Sequence, residues 1–134
     1  MKLMRAMVVA LLPVVLMAAT EDVAAIKEVK GLETKESVFK DSGSTKPIVL
    51  KTEKEAAEYF NADELAKLSK QVDFKTQIVL VFAWQGSGQD KISYTIAESS
   101  PEQITFTYAP GRTRDLRPHV YVYALRANVT WTAK

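Results

Sequence analysis

The chain has 134 residues, 47% of them apolar and 25% charged, with five Gly, five Pro and no Cys. One domain with a packed core is the expectation, and disordered, collagen-like, thiol-dependent and disulfide-stapled classes are excluded. The formal net charge of +2 is far from the basic excess that a nucleic-acid partner calls for.

Lys2 and Arg5 precede an uncharged apolar run over residues 6–19, which Thr20, Glu21 and Asp22 close. This is the pattern of a secretory signal peptide, residues 1–19, with the cleavage position between 19 and 25. The run is shorter than the ~20 apolar residues needed to span a bilayer, and it contains Pro13. No Cys follows it for a lipid anchor, so the expectation is an exported protein, periplasmic or secreted, with no stable membrane insertion after cleavage. Taking Lys2 and Arg5 from the 18 basic residues leaves 16, equal to the 16 acidic ones. The mature chain is neutral overall, but residues 110–134 hold Arg112, Arg114, Arg117, Arg126 and Lys134 against Asp115 alone.

Residues 23–40 alternate weakly through Ile26, Val29, Leu32, Val38 and Phe39 and read as one or two edge strands. A turn-rich connection over residues 41–47 leads into a short buried strand at Ile48, Val49 and Leu50. Thr52 followed by Glu55 has capping-box spacing, predicting a short helix through Phe60; Asn61 and Glu64 repeat the arrangement for a second helix. Leu65, Leu68 and Val72 fall on one face of that second helix, which must lie against a sheet or another helix.

After Val72 the period changes to two. Ile78, Leu80, Phe82 and Trp84 share one face of a strand whose other face carries Val79, Val81 and Ala83, so this strand is central. His119, Tyr121, Tyr123 and Leu125 alternate with Val120, Val122 and Ala124 in a second two-faced strand. Between them, Ile92, Tyr94 and Ile96, then Ile104, Phe106 and Tyr108, define two one-faced strands joined by a tight turn at Ser99-Ser100-Pro101-Glu102. The expected fold is α+β: a twisted, mostly antiparallel sheet of five or six strands with two short helices on one face. The expected layout is signal peptide 1–19, edge strands and linker 20–46, and α+β domain 47–134.

Alternating strand directions bring the loop 85–90 beside the loop 110–118. The first is Gly-rich and follows Trp84; the second carries three arginines and leads into His119. Trp84, Gln89, Asp90, Arg112, Arg114 and Arg117 are the candidate binding residues, since guanidiniums with polar and aromatic neighbours dock carboxylates, phosphates or acidic protein surfaces. The structural alternative pairs Asp90 and Asp115 with the arginines, uses the glycines for positive φ and continues the core with Trp84. A Ser87–His119–Asp triad lacks the Gly-x-Ser-x-Gly elbow. A lone His without Cys gives no zinc or copper set, Asp90 without neighbouring acids gives no calcium loop, and no cofactor is implied. Asn128-Val129-Thr130 is a sequon of a kind common by chance.

From Val72 to Leu125, Val72-Asp73-Phe74 opening Ile78-Val79-Leu80-Val81-Phe82, a Gly-containing turn, a hairpin, Pro110-Gly111 and a closing Arg117-Pro118-His119-Val120-Tyr121-Val122 together resemble small exported bacterial proteins related to PrcB, the accessory subunit of a secreted protease complex. The segment Gly86-Ser87-Gly88-Gln89-Asp90 replaces the Gly-Gly-Tyr type turn of that family. The resemblance implies binding without chemistry. Two functions are expected: a non-enzymatic exported module contacting another exported protein, with a protease as the partner the resemblance suggests, through loops 85–90 and 110–118, or a carrier or sensor of a small anion held by Arg112, Arg114 and Arg117. A concave pocket would favour the anion, a flat loop surface the protein.

Overall fold

The structure is a computed structural model that describes residues 23–134. The expected signal peptide lies outside the described residues. Three layers stack on one another: short helices, a four-stranded sheet and a three-stranded sheet. The four-stranded sheet has the order β1-β6-β3-β2, from Ile26–Glu28 (β1), Arg117–Arg126 (β6), Gln77–Gly86 (β3) and Ile48–Leu50 (β2), all pairs antiparallel. The three-stranded sheet has the order β4-β5-β7, from Lys91–Ala97 (β4), Gln103–Ala109 (β5) and Thr130–Ala133 (β7), with β7 parallel to β5.

The α+β class and the mostly antiparallel arrangement hold, with seven strands in two sheets in place of one sheet of five or six. The reason lies in β3. Helices cover only its Val79, Val81 and Ala83 face, and the opposite row, Leu80, Phe82 and Trp84, needs a second cover. The one-faced hairpin β4–β5 provides it by leaving the first sheet and laying Ile92, Ile104 and Phe106 over that row. The two-faced strands β3 and β6 then pair with each other over their full length, Gln77 with Arg126 through Gly86 with Arg117. The polar rows of the hairpin, such as Ser93, Thr95 and Thr107, remain exposed.

Three short helices form the outer layer: Val38–Asp41 (α1), Glu53–Ala56 (α2) and Ala62–Ser69 (α3). Val38 and Phe39, expected in a strand, belong to α1, where Val38 is fully buried in the helix-side core. Tyr59 donates to Asp41, and this bond to a carboxylate pushes the phenol up to about 12. Thr52 caps α2 by accepting from the Glu55 amide, while the Glu55 carboxylate accepts from the Lys51 amide. α2 ends at Ala56, short of the expected Phe60, although Phe60 stays buried in the same core. Asn61 caps α3 by accepting from the Glu64 amide. Glu64 itself reaches across the chain, accepting from the Glu33 amide and pairing with Lys67, and those partners hold its pKa down. Leu68 is buried and Leu65 partly buried as the spacing predicts, while Val72 is buried in the same core but lies past the end of α3 at Ser69.

The short edge strands end with specific devices. Ahead of the start of β2 at Ile48, the Ser42 hydroxyl donates to the Val81 carbonyl and accepts from the Ala83 amide, replacing a strand partner for β3. At the other end of the sheet, Arg126 donates to the Val23 carbonyl, to Asn128 and to the Glu102 carboxylate, and its amide donates to the Ala25 carbonyl. Among the described residues no helix is long and apolar enough to cross a membrane.

Candidate functional site

The chain leaves one sheet and enters the other between Gly86 and Lys91, and it returns between Ala109 and Arg117. Both passages lie at the same end of the sandwich, as strand parity requires, and they are bonded to each other. Asp90, 6% exposed, is the centre of this junction. It accepts from the Trp84 indole at 3.0 Å, the Tyr108 hydroxyl at 3.0 Å and the Gly111 amide at 2.6 Å. These bonds, the Gly111 amide first, hold its carboxyl below the ordinary carboxylate value, while burial and the bond to Asp90 push Tyr108 up. A buried carboxylate is tolerated here because both of its oxygens meet donors, two on Oδ2 and one on Oδ1.

Ser87 makes the second junction. Its Oγ accepts from the Thr113 amide at 3.1 Å and the Gln89 amide at 3.2 Å and lies against the Thr113 hydroxyl. The His119 Nε2 donates to the Ser87 carbonyl at 2.7 Å. The imidazole therefore meets the Ser87 main chain, and the hydroxyl that a triad would need is engaged elsewhere. Asp115 makes the third junction, accepting from the Gly88 amide at 3.1 Å and pairing with Arg117 at 2.9 Å. Thr113, the Gly88 amide and Arg117 hold its carboxyl well below the usual range.

The glycines serve close approach. None of Gly86, Gly88 and Gly111 has a positive φ, which among the described glycines belongs to Gly31. A Cβ on Gly86 would stand 2.3 Å from Asp90 Oδ2, one on Gly88 2.6 Å from Asp115 Oδ2, and one on Gly111 2.5 Å from the Gln89 Cβ. Gly86 thus makes room for Asp90 within its own passage, while Gly88 and Gly111 each make room for residues of the neighbouring one.

The six candidate residues divide. Trp84, 8% exposed, is a core residue stacked on His119 at 4.9 Å and on Tyr121 at 5.8 Å, with Tyr108 edge-on at 5.6 Å. Trp84 and Asp90 form the frame beneath the loops. Asp115 pairs with an arginine as the structural alternative expects, but Asp90 takes neutral donors instead. Gln89, Arg112, Arg114 and Arg117 are on the surface, and among the described residues Arg112 and Arg114 enter no ion pair. Leu116, which the sequence reading did not single out, stands beside them 71% exposed. The only signal for it was an apolar side chain between Asp115 and Arg117 in a loop.

The guanidiniums do not share one pocket. Arg112 lines an open depression of about 590 Å³ with Gln89, Lys91 and Pro110. Arg117 lines another of about 420 Å³ with Thr113, Asp115 and His119, and Arg114 lines neither. Among the described residues no three His, Asp or Glu side chains are grouped to hold a metal ion. No protein-family model, curated protein or solved structure matches the chain.

Proposed function

We propose that this is an exported, non-enzymatic binding module that meets another exported protein through the loops 85–90 and 110–118. The observation that carries the reading is a loop pair bonded at Asp90, Ser87 and Asp115 that exposes Leu116 together with Arg112 and Arg114, which enter no ion pair among the described residues. A pre-organised loop loses little conformational freedom on binding, and Arg is enriched among the side chains that carry interface energy. Trp84 and Asp90 serve the surface from below by fixing the loops, and Gln89 and Arg117 set its rim. The separate depressions for Arg112 and Arg117 favour a protein surface over a small anion gripped by all three arginines. The resemblance to the PrcB-related family supports a secreted protease as the first partner to try.

The test is an affinity pull-down from the native exported fraction, read by mass spectrometry, with wild type against the Arg112→Ala, Arg114→Ala double variant. A partner recovered with wild type and lost with a variant of equal melting temperature is the expected result. Equal recovery with both, or no partner with either, overturns the proposal.

A further inference from the structure

The hairpin layer has one long edge that the fold leaves open. β4 pairs with β5 on one side only, and among the described residues no strand lies on its other side. The Tyr108 amide and the Phe106 carbonyl both bond to Lys134, so the even-numbered residues of β5 face β7 and the odd-numbered ones face β4. Through the register of Ser93 with Thr107 and Thr95 with Thr105, the odd residues of β4 are the ones bonded to β5. The N–H and C=O groups of Ile92, Tyr94 and Ile96 therefore point out of the sheet. Their side chains lie on its inner face, where Tyr94 and Ile96 are 38% and 41% exposed.

Natural edges are blunted by Pro, bulges or charges. β4 has no Pro and no bulge, its register with β5 is unbroken, and its one charge, Lys91, stands at its first residue, leaving Ile92 to Ala97 uncharged. The strand is also self-complementary. Ile92-Ser93-Tyr94-Thr95-Ile96 reads the same in both directions by chemical type, apolar, hydroxyl, aromatic, hydroxyl, apolar. An antiparallel pairing centred on Tyr94 sets Ile92 against Ile96 and Ser93 against Thr95, twice over. Lys91 opens the strand and Glu98 follows it. Antiparallel pairing brings those unlike ends together, and parallel pairing would stack like on like.

We infer that β4 receives a second copy of this chain, edge to edge and antiparallel about Tyr94, joining the two three-stranded sheets into one continuous layer. The contact is isologous, so it closes at two copies and does not propagate. It uses an edge distinct from the arginine loops and does not depend on the function proposed for them. An edge this short buries less than the ~1,200 Å² of a standard interface, so the association is weak and is read at high protein concentration.

Sedimentation equilibrium of the protein from about 10 μM to about 1 mM, the range of weak association, reads the mass directly. The expected result is a rise from one chain to two. Ile96→Lys puts a charge on the inner face and is expected to hold the protein at one chain with its melting temperature retained. Because that variant could unfold, Ser93→Cys and Thr95→Cys provide a second reading; both sites are exposed and the chain has no other Cys. In the proposed register Ser93 of one copy faces Thr95 of the other in a non-hydrogen-bonded pair, Cα atoms ~4.5 Å apart, within disulfide range. Identical positions are diagonal at ~7–8 Å, outside it. An oxidised mixture of the two variants is expected to cross-link faster than either alone. A single-chain mass at every concentration, equal cross-linking in mixture and single variants, or a pair that persists in folded Ile96→Lys would each overturn the inference.

Discussion

Gly111→Ala tests whether the two loops are locked together. The added Cβ would stand 2.5 Å from the Gln89 Cβ, 2.7 Å from the Gln89 carbonyl carbon and 2.7 Å from the Ser87 hydroxyl. None of these neighbours is the far end of a flexible side chain, and Ser87 Oγ is itself held by the Gln89 and Thr113 amides. Relief must come from moving one loop relative to the other, which strains the 2.6 Å bond from the Gly111 amide to Asp90. Overpacking of this kind costs about 1–3 kcal/mol. The variant also gains about 0.4–1 kcal/mol because Ala restricts the unfolded chain. The net loss is then about 0–2.6 kcal/mol with a midpoint of ~1.3 kcal/mol, a melting-temperature drop of roughly 5 °C at that midpoint for a domain of this size. Gly43→Ala is the control, since nothing lies within 4 Å of its Cβ and its φ is not positive. That variant is expected to melt at or slightly above the wild-type temperature. If thermal melts followed by circular dichroism place Gly111→Ala level with Gly43→Ala, the loops are not locked and the rigid surface on which the proposed binding depends is lost.

Acid should loosen the same junction. Asp90 is held below its ordinary value of 3.8, so its contribution is complete above that pH and is lost as pH falls through the lower folded value. Asp115 and Glu102 are shifted in the same direction and add to the loss. Melts taken from neutral pH downward should show stability falling below about pH 4, with a shallower fall in Asp90→Asn; an unchanged acid slope in that variant would refute the role given to Asp90. In the second core, Phe106 lies 5.0 Å from both Phe82 and Tyr123 and is 1% exposed. Phe106→Ala should lose about 3–5 kcal/mol in urea unfolding, and a loss below about 1 kcal/mol would place that ring outside the packed interior. Glu64→Gln should speed hydrogen exchange at the Glu33 amide, which its carboxylate accepts, and unchanged protection there would mean the amide is held some other way.

What could be read in advance was whatever is local. Both N-caps are marked by an oxygen-bearing side chain three residues before the amide it accepts, and Thr52 and Asn61 do so. The burial of β3 and β6 follows from apolar residues on both of their faces, and the meeting of the two loops follows from alternating strand direction. Partition into two sheets depends on which faces cover one another, a long-range property that alternation within each strand does not contain. β7 was missed because Thr130-Trp131-Thr132-Ala133 is a short polar-edged run whose parallel pairing with β5 has no local signature. Val38 and Phe39 were read as a strand because adjacent apolar residues do not distinguish one helical turn from an extended edge. In the site, the sequence offers Asp90 as a binding residue or an arginine partner, whereas its burial depends on the Trp84 indole and Tyr108 hydroxyl, brought to it from two different sheets.

The Arg126 guanidinium gathers two distant parts of the chain, the Val23 carbonyl at the start of the described residues and Glu102 at the mouth of β5, together with its neighbour Asn128 ahead of β7. Its own amide takes the Ala25 carbonyl. This knot sets a hard boundary for proteolytic trimming from the front. Shortening that stops before Val23 leaves every one of these acceptors in place. A cut after Ala25 removes both carbonyls and leaves Ile26 to begin β1 without its tether, so a processing protease acting there would be cutting into the sandwich itself.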